Sequence, residues 1–520
     1  MYIQPGTNII LLHNVPLDNT YDHTIRFASP DDQYNYFSGL TKFRLSENTY
    51  QRVNRGRARI GIKADNLYDC NYMMFQNASF GNKWFYAFIT AVEYVNNITS
   101  DITFELDVIQ SWYFDWEFEQ CFIERITTPT DEIGEHIEPE PVSLGEYVYN
   151  DYKQLSVLSP LAVIIAYVDA SEGGHLYSGV YGGCTLVAFN ANDVSGINTF
   201  LSKYIQKPDA IVDMYVVPVV ATGPLTSGSG TIIVSSDKNT TITDGGAIPA
   251  VNDNMELNGY KPRNHKLYTY PYNFLNISNA SSGSLNLRYE FFTDLQPHWE
   301  ITVPLTKPVE CVLRPTHYKG SGSEPNATES ITVSGYPTCS WNFDTYKAWV
   351  AQSTVPYFMR AANTVANAGV MIASTGGTAT PAAVAGLTTS LFSQVTGRMI
   401  DGYQASIAAD IYRGNLNSGS TNIGAGLQDF FGGRMSITAQ AAKQIDDFFT
   451  RFGYGVRTIG KPYTNNRPHY TYIQTSGCTL TGSIPADDMK TICQIHDNGI
   501  TYWMNGNEIG DYSVDNSPEP

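Results

Sequence analysis

Charge is scarce in this chain of 520 residues, and basic charge most of all. Only 16% of the residues are Asp, Glu, Lys or Arg. The 32 basic side chains stand against 50 acidic ones, for a formal charge of -18. Tight nucleic-acid binding works by displacing counterions from phosphates with Lys and Arg, and this balance argues against it. An acidic wall past which DNA slides without being held stays compatible with the composition, as does plain solubility. Cysteine is also sparse. Cys70, Cys121, Cys184, Cys311, Cys339, Cys478 and Cys493 form no CxxC pair, and their spacing fits neither a zinc site nor a small disulfide scaffold. They read as buried free thiols. The motifs GxxxxGK[ST], HExxH and GxSxG are missing, as is a clean EF-hand loop. The expectation is therefore no catalytic constellation, no cofactor site, no metal site and no enzyme. The opening MYIQPGTNII has no basic stretch followed by an apolar run, so Sec-type export is not expected and the sequons at Asn77 and Asn97 carry little meaning.

Aromatic and β-branched side chains are plentiful, with 35 Tyr and 24 Phe. Such residues fit a pleated surface, so the chain reads as mainly β with some helix (α+β). At roughly 100–200 residues per domain, the length allows about three or four domains. Residues 1–150 read as strands and turns, with a turn signal at Pro30-Asp31-Asp32. A hairpin is expected there with strands at 83–95 and 101–112 and a turn at Asn96-Asn97. Ile102, Phe104, Leu106 and Val108 would share one face. The segment GEHIEPEPVSLGE marks a boundary near 135–150. Residues 151–340 are a second β-rich region: PLAVIIAYVDA and DAIVDMYVVPVVATG are strand-length apolar runs, RYEFF and WEITVPL read as strands, and a helix is expected at 192–206, capped by Asn192 or Asp193. Residues 441–520 hold a helix ending at Gly453, a strand pair in TYIQTSGCTLTGSI, and a helix, turn and strand in DDMKTICQIHDNGITYWMN.

Three local clusters invite chemistry. His136 sits among Glu135, Glu138 and Glu140, which reads as a solvated linker rather than a metal site. Arg55, Arg57 and Arg59 alternate along NRGRARI, where a solvated face or a subunit contact is preferred over a phosphate site. The run WYFDWEF, Trp112 to Phe118, reads as core or interface before it reads as a sugar platform.

Residues 341–440 differ from the rest. Five basic residues (Lys347, Arg360, Arg398, Arg413, Arg434) nearly balance four acidic ones (Asp344, Asp401, Asp410, Asp429), and the 37 residues from Ala361 to Gly397 hold no Asp, Glu, Lys, Arg or His. Val365, Gly369 and Ile372 recur at helical spacing beside Val370 and Met371. Gly376-Gly377 marks a tip. Thr380-Pro381 is an N-cap followed by proline at the first helical position. Val384, Leu387, Leu391 and Val395 continue the stripe, with Phe392 beside it. The arms before and after the tip would run about 21 and 25 Å at roughly 1.5 Å per residue, against a bilayer core of roughly 30 Å. Gly369, Ala373 and Gly377, and Ala382, Gly386 and Ser390, form rows of small residues that allow close helix packing. A helical hairpin fits this pattern better than a low-complexity linker does.

Three stretches carry a family resemblance: PGTNI…NVPLDNTYDHTIRF…QYNYF near the start, NYMMFQNASFGNKWFYAFITAVEYVNNITSDITFELDVIQSWYFDWEFEQCFIER after it, and FFTRFGYGVRTIGKP…YTYIQTSGC…IHDNGITYW at the end. Together they cover about half the chain. They resemble the tail knob (distal tail tube) proteins of phi-29-like, picovirus-type podophages of Gram-positive bacteria. The resemblance implies β-barrel tube domains in a homo-hexameric ring at the distal tip of the virion tail. It also implies contact with the collar and tail tube, and phage DNA passing through the lumen without sequence-specific binding. A long apolar loop would plug the channel and then enter the host cytoplasmic membrane. By position, 341–440 corresponds to that insertion, with Val365, Gly369, Val370, Met371, Ile372, Gly376, Gly377, Pro381, Val384, Leu387, Leu391, Phe392 and Val395 as its plug residues. The first and last regions would form the tube. The rival readings are a receptor- or cell-wall-binding appendage without pore activity, and a wall hydrolase, which would need a carboxylate pair or metal site that the sequence does not offer.

Overall fold

The structure is a computed structural model that describes residues 6–48, 56–155, 158, 160–168, 184–204, 210–226, 228–233, 239–243, 248–279, 283–336, 338–339 and 429–518. The plug residues expected between Val365 and Val395 lie outside the described residues. The fold is mainly β, as expected. The helices used below are α1 (Pro30–Gly39), α2 (Val108–Trp112), α3 (Val194–Lys203), α4 (Ala439–Phe452) and α5 (Ala486–Asn498).

The chain divides into two compact units. Unit 1 joins the two chain ends, residues 1–142 and 444–520; unit 2 is residues 143–443.

Unit 1 contains a six-stranded antiparallel sheet in the order Thr41–Asn48, Thr7–His13, Cys70–Gln76, Phe85–Asn96, Thr99–Leu106, Arg57–Ile60. The strand TNIILLH is apolar at successive positions because both sheet faces are covered. Ile10 and Leu12 face a core with Phe37, Tyr72 and Phe88, while Ile9 and Leu11 face another with Ala58, Met73 and Ile102. The second sheet runs His23–Ile25, Ile500–Trp503, Tyr470–Ser476, Cys121–Ile126, Tyr454–Gly460. Its only parallel pair among the described strands joins the chain's two ends, His23↔Thr501 to Ile25↔Trp503. α4 stops at Gly453, as expected. That residue has φ +64°, and a Cβ there would meet the Ile126 carbonyl oxygen at 2.2 Å.

In unit 2, Leu161–Tyr167 is buried along its whole length between Thr185–Asn190 and Ile211–Pro218, so both long apolar runs are strands. Asp193 caps α3 by accepting the Gly196 N–H at 2.9 Å, and the helix covers this sheet with Phe200 against Tyr167 and Phe189. A four-stranded sheet runs Asn239–Thr243, His298–Pro304, Cys311–Thr316, Ile331–Val333. A third sheet centres on Phe431–Ile437, which pairs with Tyr147–Tyr149, Lys153–Gln154 and Asn273–Ser278.

Several expectations are corrected. Pro30-Asp31-Asp32 opens a helix: Ser29 accepts the Asp32 N–H at 3.2 Å, proline stands in the first turn, and two carboxylates face the helix's positive end. The expected 101–112 strand ends at Leu106, because Asp107 turns its carboxylate onto the Gln110 N–H at 3.0 Å and starts α2. The row Ile102, Phe104, Leu106, Val108 therefore splits between two cores. The hairpin turn is Asn97-Ile98, one residue later than expected, since Asn96 pairs with Thr99. RYEFF forms a 3-10 turn at Tyr289–Phe291. TYIQTSGCTLTGSI does contain two strands, but they bind other partners: Tyr470–Ser476 pairs with Ile500–Trp503 and Cys121–Ile126, and Leu480–Gly482 with Trp116–Phe118.

Candidate functional site at the base of an uncharged insertion

Residues 340–428 of unit 2 lie outside the described residues, and the described chain stops at Cys339 and resumes at Asp429. On the departing side, Ile331–Val333 pairs with Cys311–Thr316, and Thr338–Cys339 adds to the edge of Ile211–Pro218 through Tyr215↔Thr338 and Met214↔Cys339. On the returning side stands Asp429, only 1% exposed. A carboxylate at that depth must be met by donors. Its Oδ2 accepts from Gln154 Nε2 and from the Leu158 N–H at 3.2 Å, and its Oδ1 accepts the Phe430 N–H at 2.8 Å.

The two sides meet. The Cys311 sulfur lies 3.4 Å from the Tyr336 hydroxyl, and both feel the Asp429 charge. Burial, reinforced by that charge, pushes the Cys311 thiol up to about 12 and the Tyr336 phenol well above its usual range. Both therefore stay neutral beside the carboxylate. Behind Asp429 the chain is clamped. The Leu155 N–H donates to the Phe430 carbonyl at 2.8 Å, and Phe431 stacks on Tyr152. Gly433 runs so close to Asp151 that a Cβ would lie 1.8 Å from its carbonyl oxygen. The described residues on the two sides of 340–428, Tyr336 and Asp429, thus stand near each other in packed core.

The other expected clusters are absorbed by structure. Arg59 forms a two-pronged pair with Asp101, at 2.7 Å from Nε and 3.0 Å from Nη2, and Arg57 bridges Asp101 and Glu93. Hydrogen bonds from Arg59 hold the Asp101 carboxyl below its usual range. Their charge is met by an acidic neighbour, and Arg55 lies outside the described residues. Glu140 is not in a solvated linker: it is buried, paired with Arg125, and accepts the Gly455 N–H at 3.0 Å. His136 packs on Tyr454. Within Trp112–Phe118 most rings turn inward. The Trp112 indole N–H donates to Asp488 at 2.9 Å beneath the Lys83 ammonium, and Trp116 and Phe118 pack on His496.

Two buried groups of unit 1 carried no sequence signal. Asp107 accepts from the Tyr72 hydroxyl at 2.8 Å and is pushed up to about 6 by burial. His496 Nδ1 lies 2.7 Å from the Ile492 carbonyl and Nε2 2.7 Å from the Tyr502 hydroxyl, and burial lowers it to about 4. Each looks like an ordinary surface residue until the fold covers it.

The fold is mainly β, and similarity gives the class of the protein. Residues 5–117 match the model of the Caudoviral major tail protein N-terminus. Residues 237–517 match the model of the Bacillus phage phi29 tail knob protein gp9, C-terminal domain, and the chain belongs to that family. It is 26% identical to the tail knob protein gp9 of Bacillus phage PZA and 25% identical to that of Bacillus phage phi29, in each case over 98% of both chains. Among solved structures it resembles the bacteriophage C1 tail knob protein, gp12, with a TM-score of 0.62 at 12% identity, over 98% of this chain and 99% of that one. The chain is a structural tail knob protein and a component of the virion tail assembly.

Proposed function

We propose that this tail knob protein forms a homo-hexameric tube at the distal tip of the tail, joined to the collar and tail tube, through which phage DNA passes during ejection. Unit 1 and the sheets of unit 2 form the wall. The insertion plugs the lumen before infection and then penetrates the host cytoplasmic membrane, with Val365, Gly369, Val370, Met371, Ile372, Gly376, Gly377, Pro381, Val384, Leu387, Leu391, Phe392 and Val395 as its working surface. One observation carries this reading: Tyr336 and Asp429, on the two sides of residues 340–428, stand near each other, and the sequence between them contains 37 consecutive residues without a charge.

Two anchored, neighbouring ends let an insertion change its surroundings while its base stays folded. A charge at the centre of a bilayer costs roughly 2.5–3.5 kcal/mol per residue, and six copies that avoid it act together. The net acidic charge suits a conduit that repels rather than retains DNA.

The test compares the full chain with a deletion of residues 361–397. Six-fold rings with a filled centre, and dye leakage from liposomes by the full chain alone, are the expected results. Equal leakage from both proteins would refute the pore, and the absence of six-fold rings would refute the tube.

A further inference from the structure

An asparagine that precedes glycine readily loses its side-chain amide, because glycine, without a Cβ, leaves its N–H open to the preceding carboxamide carbon. The chain holds three such pairs, Asn258-Gly259, Asn498-Gly499 and Asn505-Gly506. The fold treats them differently. The Gly499 N–H donates to the Ile495 carbonyl at 3.0 Å and to the His496 carbonyl at 3.2 Å, closing the end of α5. The Asn505 carboxamide is engaged on both sides: its oxygen accepts the Asn507 N–H at 3.1 Å, and its nitrogen donates to Glu508 at 3.0 Å. Gly506 is buried, and a Cβ there would lie 2.1 Å from the Tyr36 hydroxyl.

Asn258-Gly259 is held by neither device. φ is +51° at Asn258 and +85° at Gly259, as in a two-residue type I′ turn, and Leu257 and Tyr260 close it with N–H···O bonds of 2.7 and 3.0 Å. Both turn residues are exposed, and a Cβ on Gly259 would meet nothing within 4 Å. Among the described residues nothing bonds to the Asn258 carboxamide or to the Gly259 N–H. The turn is also a tie. The Asn258 N–H donates to Asn150 Oδ1 at 2.6 Å, the Asn150 N–H donates to the Arg434 carbonyl at 2.9 Å, and Arg434 Nη1 donates to the Glu256 carbonyl at 2.7 Å. The stretch 256–258 thus holds Arg434, in the middle of Phe431–Ile437, through both its side chain and its backbone.

We propose that Asn258 is a modification site that records the age of the protein: its side-chain amide is lost without an enzyme, and the product loosens the tie to Arg434. The Gly259 nitrogen gives its proton to hydroxide and attacks Asn258 Cγ. The Cγ–Nδ2 bond breaks, and the leaving nitrogen takes a proton from water and departs as ammonia. A cyclic imide remains. Water then opens it: cleavage at Cγ gives Asp, and cleavage at the backbone carbonyl gives an isoaspartyl link that runs through Cγ. Water is consumed, ammonia is released, and nothing is oxidised or reduced. The isoaspartyl link puts an extra carbon into the chain and adds a carboxylate. A two-residue turn cannot take up that carbon and keep both Leu257–Tyr260 bonds, so the Asn258 N–H moves off Asn150. At Asn498 and Asn505 a hydrogen bond must break before reaction, which slows each by about tenfold.

The test ages the full-length protein at neutral and mildly alkaline pH, with a parallel sample in denaturant, and maps its tryptic peptides by mass spectrometry. Residues 239–263 carry Asn258, and residues 491–520 carry the other two sites. In the folded protein Asn258 should convert about tenfold faster than Asn498 or Asn505, and faster at the higher pH. In denaturant the three should convert at similar rates. Tm should fall by about 4 °C as Asn258 converts. Asn258→Gly suits the positive φ and lacks the reacting amide, so it should age without that fall. The wild-type peptide map decides the matter should that variant not fold. An intact Asn258, conversion led by Asn498 or Asn505, the same lead for Asn258 in denaturant, or a Tm that stays level while Asn258 converts would each overturn the proposal.

Discussion

Unit 1 is assembled from two distant stretches of the chain, whereas unit 2 is one continuous stretch. In unit 1 the strand His23–Ile25 finds Ile500–Trp503, and Cys121–Ile126 lies between two C-terminal strands. Buried polar groups set these distant registers. Gln110 Nε2 donates to Thr24 Oγ1 and to the Ile25 carbonyl, each at 2.8 Å, while Arg125 donates to the Gly453 carbonyl and pairs with Glu140. An unpaired buried polar group is costly, so a slipped register would be penalised at each of these points. In unit 2 the chain around residues 429–437, the base of the proposed insertion, is held differently, by close backbone approach at Gly433 and a carboxylate at Asp429 that meets several donors. The lesson is that the distant pairings of unit 1 rest on directional bonds, and this stretch of unit 2 on tight packing.

The strongest way to break this contrast is Gly433→Val. Any Cβ at this position would lie only 1.8 Å from the Asp151 carbonyl oxygen, so the Phe431–Ile437 strand must give way. We expect a loss of more than about 4 kcal/mol and rapid proteolysis within residues 143–443, while a fragment of unit 1 retains its near-ultraviolet circular dichroism. Intact resistance to protease would show that close packing is not what holds the base.

Glu140→Ala acts on the other unit. It leaves the Arg125 guanidinium buried without its carboxylate and should cost about 3 kcal/mol in urea unfolding. A loss below about 1 kcal/mol would mean that solvent reaches Arg125 and that the pair does not set the register.

A pH titration sharpens the comparison further. His496 has a folded pKa of about 4, below its ordinary 6.5. Its contribution is therefore present above pH 6.5 and lost as pH falls towards 4, by up to about 3 kcal/mol. Asp107, raised to about 6 from 3.8, runs the opposite way: its contribution is present below 3.8 and lost as pH rises through 6. His496→Gln should therefore remove the part of the acid-side loss between pH 6.5 and 4 that His496 contributes. An unchanged pH profile would show that His496 titrates alike in the folded and unfolded chain.

Much of the local structure was legible because it depends on neighbours in sequence. The α3 cap at Asp193, the α4 stop at Gly453 and the apolar strands at 161–167 and 211–218 all follow from periodicity and capping. The failures have a shared cause. Pro30-Asp31-Asp32 looks like a turn and Asp107 like part of a strand, and only a side chain aimed at the next turn's N–H, from Ser29 and from Asp107 itself, makes each a helix start. RYEFF has strand composition but no strand partner, and it closes into a 3-10 turn. The expected plug residues follow from helical spacing and the family resemblance, while Asp429 and Gly433, buried or closely packed on the far side of residues 340–428, carry no sequence pattern.

The sequence by itself determined a mainly β chain, an acidic surface, an uncharged 37-residue stretch and a family, because composition, periodicity and motif order are properties of the chain alone. Only the tertiary structure decided that His23–Ile25 would pair with Ile500–Trp503, that Arg57 and Arg59 would spend their charge on Asp101, and that Tyr336 and Cys311 would stand beside Asp429. Those outcomes depend on which distant segments exclude water from one another, and no local spacing encodes that.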